Sequence, residues 1–275
     1  MPVSQRKRLA ICCAAALLCA FGAAGALYFA LTQGYDPVIR HFEVASPGGI
    51  AAACLCIAGV VIGAVAALLL RKEKKATFSV PGTLTTFAAI VTAFMLMAAF
   101  MMAFRTLSGA NTLTQIRIVL TALAAIYFFA VTSEKASDTA IFPFVSLLPV
   151  LFAVFSILCT YFDKSYGMNA PVKTYDLMMY ITMALFFTAE ARCALHIPKP
   201  PLYAFFGIAC ETMCIANGVA HSLVALNDPI GHGFSLVESA TWTCIGLFAL
   251  TRLLEYGRAA VPEKSSEPAQ EESDE

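Results

Sequence analysis

Hydrophobic residues form eight long runs along this chain of 275 residues, and polar residues collect in the short segments between them. Four runs, Leu9–Leu31, Ile50–Leu70, Leu84–Phe104 and Thr139–Phe162, contain no Asp, Glu, Lys or Arg. A helix needs about 20 apolar residues to cross a hydrocarbon core of about 30 Å. The pattern therefore predicts an all-α fold, a polytopic bundle of about eight membrane-spanning helices. These helices are expected at residues 9–31, 50–70, 83–104, 113–132, 139–162, 174–196, 201–226 and 234–256.

Residues 1–256 form the predicted bundle, and residues 257–275 differ from it in composition. This last stretch holds six acidic residues and two prolines with almost nothing apolar. A segment that cannot bury apolar surface does not offset the entropy cost of ordering, so we expect a disordered acidic tail.

Two predicted helices carry a feature that departs from a plain apolar run. In the fourth, only 16 residues separate Arg117 from Glu134. Arg117 must therefore extend toward the lipid headgroups if this segment is to span. In the fifth, Pro143 falls in the first turn, where proline is tolerated, whereas Pro149 is interior and predicts a kink.

The composition supports a membrane location. Charged residues make up 13% of the chain, against about 25% in soluble proteins. The net charge is zero and gives no reason to expect a nucleic-acid partner, so the lipid bilayer is the expected partner.

The ten cysteines lie in or at the ends of apolar runs, which favours free thiols over disulfides. The first run is too long for a signal peptide, so we expect an uncleaved helix.

The Lys and Arg residues predict the orientation of the bundle. With the N-terminus in the cytoplasm, 13 of the 18 basic residues fall on the inner side and five on the outer side. Cytoplasmic loops carry the excess of basic residues in membrane proteins. We therefore expect both termini in the cytoplasm of a multi-pass protein in a cell membrane, with a pattern typical of small bacterial plasma-membrane proteins.

Glu211 is the strongest candidate for a functional residue. It lies ten residues into the seventh predicted helix, about 15 Å along it, near the middle of the membrane. Ionisable residues at this depth are costly and mark functional sites by default. The functional interpretation is a proton carrier or cation ligand, and the alternative is a structural hydrogen bond to a neighbouring helix.

Two further polar residues of the seventh helix and one of the eighth join Glu211 as transport or proton-pathway candidates. Asn217 and His221 follow Glu211 on a polar stripe, which predicts either a pathway lining or interhelical hydrogen bonds. For Asn217 the second interpretation is favoured. His221 and Glu238 flank the turn between the last two helices, so we expect them at similar depth, as a proton relay or a static pair.

The sixth helix contributes two acidic residues near opposite membrane surfaces. Asp176 is expected to be solvated near the outer surface. Glu190 lies near the inner surface, at a depth comparable with Arg252 of the eighth helix. We predict that Glu190 and Arg252 form a structural ion pair, with Arg192 as the alternative partner of Glu190.

No cofactor or metal site is predicted. Cys210, Cys214 and Cys244 share a depth but lack zinc-type spacing. The sequence contains no Walker A loop, HExxH, GxSxG or dinucleotide motif. An intramembrane enzyme using His221 and Glu238 would lack a nucleophile, so catalysis is the least favoured function.

Two functions remain open. The first is a small permease or proton-linked transporter for a small molecule or ion, which uses the buried acidic residues of the last three helices. The second is a scaffold, sensor or accessory subunit that does not transport and binds another membrane protein.

Overall fold

The chain folds into an all-α helical bundle in a computed structural model. The structure describes residues 3–36, 41–43, 46–72, 81–133, 139–165, 170–227 and 234–256. Its long helices are α1 (Val3–Gln33), α2 (Pro47–Leu69), α3 (Thr83–Phe104), α4 (Thr112–Val131), α5 (Phe142–Phe162), α6 (Pro171–Ala194), α7 (Pro200–Asn227) and α8 (Leu236–Tyr256). The predicted tail, residues 257–275, lies outside the described residues.

The first seven of these helices are long and apolar enough to cross a membrane. α8 has a similar length but carries three charged residues, Glu238, Arg252 and Glu255. The remaining described elements are short: a 3-10 turn (Leu107–Gly109) and the antiparallel strands β1 (Tyr35–Asp36) and β2 (His41–Phe42). The fold class predicted from the hydrophobic pattern is therefore confirmed.

Polar side chains fix the starts of two helices. The Ser46 hydroxyl accepts a hydrogen bond from the Gly49 N–H at the start of α2, at 3.1 Å. The Asn111 side-chain oxygen accepts one from the Thr114 N–H at the start of α4, at 2.9 Å. Because the first N–H groups of a helix have no partner inside it, these caps set where each helix begins.

Helix α5 is interrupted where the sequence predicts a kink. It consists of a short piece, Phe142–Val145, and a longer piece, Leu148–Phe162. Pro149 lies in the first turn of the longer piece, where its missing N–H costs little. The break therefore moves this proline from a helix interior to a helix start.

Six helices form a closed ring. Each successive pair from α3 to α8 is in contact, and α8 returns to contact α3. Successive helices run in opposite directions, so the bundle has two ends. We call the end that carries β1 and β2, where α4, α6 and α8 begin, the strand end. In the predicted orientation the strand end is the outer one.

The hairpin of α1 and α2 packs outside this ring, on one face of α7. The two are close at Gly59 of α2, where an added Cβ would lie 2.5 Å from the Thr212 Cγ2 of α7. Gly63, one turn along, faces the backbone of Phe205. The two glycines with GxxxG spacing therefore serve packing within the chain, which lets these two backbones come close together.

Candidate functional site

A cavity of about 610 Å³ lies inside the ring at the strand end, between α4, α5, α6 and α8. Its lining is mainly polar and charged, which is unusual for the interior of a membrane bundle. The lining comprises Asn111, Leu113, Thr114, Arg117, Cys159, Thr160, Phe162, Asp163, Lys164, Asp176, Tyr180, Phe234, Ser235, Glu238, Ser239 and Trp242. Such a cavity has the size of a small-molecule site.

Arg117 of α4 and Glu238 of α8 form an ion pair in the cavity wall. The Arg117 Nη1 lies 2.9 Å from the Glu238 Oε1, and the two side chains are 25% and 38% exposed. The sequence predicted instead that Arg117 extends to the headgroups and that Glu238 pairs with His221. In the structure Glu238 pairs with Arg117 rather than with His221, because α4 and α8 face each other across the cavity.

His221 lies behind the cavity wall rather than in it. Its ring stacks on Phe234 with centroids 4.2 Å apart and meets the Trp242 ring edge to face at 5.6 Å. Both ring nitrogens are buried without a hydrogen-bond partner among the described residues. His221 therefore supports two rings of the lining, and no hydrogen bond joins it to Glu238.

The cavity lining repeats one spacing on two helices. Asp176 precedes Tyr180 by four residues on α6, and Glu238 precedes Trp242 by four residues on α8. Residues four apart lie on the same helix face, so each carboxylate lies one turn closer to the strand end than its aromatic partner. The Tyr180 and Trp242 rings meet at right angles with centroids 6.0 Å apart. Asp176 is 4% exposed, so the expectation of a solvated side chain is wrong.

A cluster of aromatic rings fills the ring of helices below the cavity. Phe128 of α4 contacts Phe187 of α6 at 5.7 Å and Phe248 of α8 at 5.0 Å, in edge-to-face arrangements. Tyr127 packs against the same two phenylalanines. All four side chains are buried. Because they come from three different helices, they close the centre of the bundle.

The ion pair predicted between Glu190 and Arg252 is present beyond this aromatic cluster, at the end opposite the cavity. The Arg252 Nε donates to Glu190 Oε1 at 3.0 Å, and Nη2 donates to Oε2 at 2.9 Å. The Tyr203 hydroxyl donates to Oε1 at 2.6 Å and the Tyr127 hydroxyl to Oε2 at 3.3 Å. Burying a charge pair has a free-energy cost. The two hydrogen bonds between Arg252 and Glu190, together with those from the two tyrosine hydroxyls, offset this cost.

Glu211 is fully buried and lies outside the cavity lining. Neither carboxylate oxygen has a hydrogen-bond partner among the described residues. The adjacent Thr212 faces Gly59 of the hairpin, and Cys13 of α1 is close enough to Glu211 to interact with it electrostatically. Glu211 therefore belongs to the interface between α7 and the hairpin of α1 and α2.

Asn217 joins α7 to α6. Its Nδ2 donates to the backbone oxygen of Tyr175 at 3.2 Å and to that of Met213 at 3.1 Å. The first of these bonds crosses between helices, as the structural interpretation of this residue requires.

A second cavity of about 270 Å³ lies between α3, α4 and α8. It shares Arg117, Ser235, Glu238 and Trp242 with the larger cavity, while most of its other lining is apolar. The Arg117–Glu238 ion pair therefore stands in the wall between the two spaces.

All ten cysteines are free thiols, and each lies within the described ranges. Cys210 and Cys214 come within 3.7 Å of each other, Sγ to Sγ. Across those same ranges, no group of three or more His, Cys, Asp and Glu residues is arranged to hold a metal ion.

Several cavity residues were not singled out from the sequence. Two signals pointed toward them: Arg117 is a charge inside an apolar run, and Trp242 is the only tryptophan of the chain. Neither signal reveals which helices are neighbours, so the shared cavity was not predicted.

Comparisons of the chain with protein-family models, with curated proteins and with solved structures found no match.

Proposed function

We propose that this membrane protein binds a small polar solute at its outer face and acts as a small permease. The observation that carries the proposal is the polar cavity of about 610 Å³ within the ring of helices. Polar lining inside a membrane bundle is costly, and such residues mark solute or ion pathways. The basic residues predict that this cavity opens to the outer side.

The far half of the bundle supports a transport cycle with alternating access. Below the cavity, the aromatic cluster around Phe128, Phe187 and Phe248 and the Glu190–Arg252 pair fill the ring. A protein with a cavity on one side and a packed closure on the other resembles one state of such a cycle. Transport then requires the aromatic cluster and the Glu190–Arg252 pair to separate, while the helices move together around the cavity at the strand end.

Glu211 is the proposed coupling residue. A buried carboxylate with no hydrogen-bond partner among the described residues needs an explanation, and a role in proton movement supplies one. Because Glu211 lies between α7 and the hairpin of α1 and α2, gain or loss of its proton would act on how these helices pack. Asn217 and His221 hold the same helix against α6 and the cavity wall.

The alternative is a sensor, scaffold or accessory subunit that does not transport. The observation in its favour is that Glu211, Asn217 and His221 all lie outside the cavity lining. In this alternative the cavity still binds a solute but the aromatic cluster never opens.

Cys159 provides the test of outer access, because it lines the cavity and is partly exposed. A membrane-impermeant maleimide applied to intact cells should modify the wild-type protein more than the Cys159→Ser variant. Equal modification would contradict an outward-facing cavity. A solute library is then screened for protection of Cys159, and each protecting solute is tested for uptake into proteoliposomes.

The coupling role of Glu211 needs its own measurement. Glu211→Gln keeps the size of the side chain but carries no titratable proton. We expect this variant to lose proton-driven uptake. It should still be expressed, and the solute should still protect its Cys159 from maleimide. Unchanged uptake would remove Glu211 from the mechanism, and absence of uptake by the wild type would favour the sensor.

A further inference from the structure

We propose that the solute of the cavity at the strand end is a single-chain amphiphile. Its polar head occupies the larger cavity, and its hydrocarbon chain occupies the smaller cavity between α3, α4 and α8. This inference deepens the function proposed above, on which it rests, because it adds a hydrocarbon chain to the polar solute. It is carried by the contrast between the two linings, by the size of the smaller cavity and by the wall that the two cavities share.

The smaller cavity offers a surface for hydrocarbon. Outside the shared wall its lining includes Leu96, Met102, Ile118 and Phe152. The polar members of that lining each donate a hydroxyl to a backbone oxygen three or four residues earlier, at 2.7 to 2.9 Å: Thr106, Thr121 and Thr241. These hydroxyls therefore have partners without any solute. Cavities with apolar walls stay dry and take apolar ligands, so hydrocarbon is the occupant that this lining favours.

The size of the smaller cavity indicates that it extends another site. Its volume is about 270 Å³, whereas sites that hold a complete small molecule usually have about 300–1,000 Å³. The larger cavity, at about 610 Å³, falls within that range. On α3 the lining of the smaller cavity runs from Leu96 to Ala103, which is about 10 Å along the helix axis. A space of this length beside a polar cavity suits a short chain attached to a polar head.

The two cavities meet at one wall. Four residues line both of them: Arg117, Ser235, Glu238 and Trp242. Arg117 and Glu238 pair with each other at 2.9 Å, so neither charge demands an opposite charge from the ligand. Trp242 borders both spaces with an apolar ring, which gives the chain a path past the ion pair. A ligand that crosses here places its head beside Cys159 and its chain beside Ala99.

The smaller cavity also borders the outside of the bundle. Met102 belongs to its lining and is 54% exposed. This residue lies in the last turn of α3, at the strand end. In the predicted orientation that position faces the outer leaflet, so a chain longer than the cavity can extend into the lipid hydrocarbon.

The experiment compares probes that share a head and differ only in chain length. Methyl and hexyl derivatives are made of four heads: the uncharged glucoside, the zwitterion phosphocholine, the cation trimethylammonium and the anion sulfate. Protection of Cys159 from maleimide is measured on the purified full-length protein in nanodiscs over a range of probe concentrations. For at least one head we expect the hexyl probe to protect at a concentration about tenfold or more below that of the methyl probe, because each buried CH₂ group adds to the binding free energy.

Variants then assign the chain to the smaller cavity. Ala99→Leu narrows this cavity and should remove the advantage of the hexyl probe, while protection by the methyl probe stays unchanged. Ala98→Leu is the matched control, since Ala98 is the exposed neighbour of Ala99 on α3 and lies outside both linings. It should keep the advantage. Both variants are studied in the same bilayer, so a difference between them does not come from uptake of the probe by lipid. If Ala99→Leu fails to fold, Ala103→Leu from the same lining gives the second comparison.

The outcomes separate this inference from the function on which it rests. Equal protection by the methyl and hexyl probes of every head would overturn the amphiphile assignment, as would a hexyl advantage that Ala99→Leu and Ala98→Leu affect alike. If a methyl probe or a solute of the library still protects Cys159 in those cases, the cavity binds polar solutes and only this inference fails. If neither a probe nor a library solute protects Cys159, both proposals fail.

Discussion

Arg252 of α8 holds Glu190 of α6 at two points, with nitrogen–oxygen distances of 2.9 and 3.0 Å, in a buried site at the end opposite the cavity. This pair, with the two tyrosine hydroxyls around it, fixes the distance between two helices of the ring. Its neighbour Glu255 accepts a hydrogen bond from the Gly82 N–H at 2.9 Å, at the start of α3. The last turns of α8 therefore join α6 and α3 at the closed end.

Loss of either partner of this pair should destabilise the protein strongly. Glu190→Gln or Arg252→Gln leaves the other charge buried without compensation, at a cost of about 3–5 kcal/mol. The double variant removes both charges and should lose much less than the sum of the single losses. The measurement is the thermal midpoint in detergent for all four proteins. Additive losses would show that the two side chains act independently.

The ion pair in the cavity wall should contribute less to stability. Arg117 and Glu238 are 25% and 38% exposed, so water screens their attraction. We expect Arg117→Gln and Glu238→Gln each to lower stability by about 1 kcal/mol or less. Thermal midpoints measured beside those of the Glu190 and Arg252 variants test this contrast. A loss as large as theirs would mean that the wall pair also holds the bundle together.

Gly218 should be essential for the contact between α7 and α8. An added Cβ would lie 2.6 Å from the Thr243 backbone nitrogen and 2.8 Å from the Ser239 oxygen. These are backbone atoms, so the helices must separate, and overpacking of this kind costs about 1–3 kcal/mol. Gly25→Ala is the control, because its Cβ would meet nothing within 4 Å. Thermal midpoints should fall for Gly218→Ala only, and equal midpoints would contradict the close approach.

Reporter fusions test the orientation. A phosphatase fused after Leu226 should be active, since this position lies at the predicted outer end of α7. The same phosphatase fused after His196, in the connection from α6 to α7, should be inactive because that connection is predicted to be cytoplasmic. Fluorescent-protein fusions at both positions should give the opposite result. Activity after His196 together with inactivity after Leu226 would invert the bundle and move the cavity to the inner side.

Most of the fold was predictable from the sequence because membrane spans are local features. The run of apolar residues sets each helix, and prolines and capping residues set its ends, as at Ser46 and Pro149. The partners Glu190 and Arg252 were also predictable, since counting residues gives the depth of a side chain in its helix. Depth alone left Arg192 as the alternative partner of Glu190, and the structure shows Arg252 in that place.

The cavity was not predictable, because depth does not tell which helices are neighbours. Arg117 and Glu238 are 121 residues apart, and only the closed ring brings α4 and α8 together. For the same reason Glu211, chosen correctly as a buried carboxylate, was expected to line a pathway. Glu211 instead lies on the face of α7 that the hairpin of α1 and α2 covers, outside the lining of the cavity.

The position of α7 also has a consequence for biosynthesis. α1 and α2 emerge first from the ribosome, yet the surface they pack against belongs to a helix that is made only after four others. Until then Gly59 and its neighbours face lipid or an insertion factor. Assembly is therefore completed late, when the arrival of α7 captures the waiting hairpin, and a chain truncated before residue 200 would leave that hairpin without its docking partner.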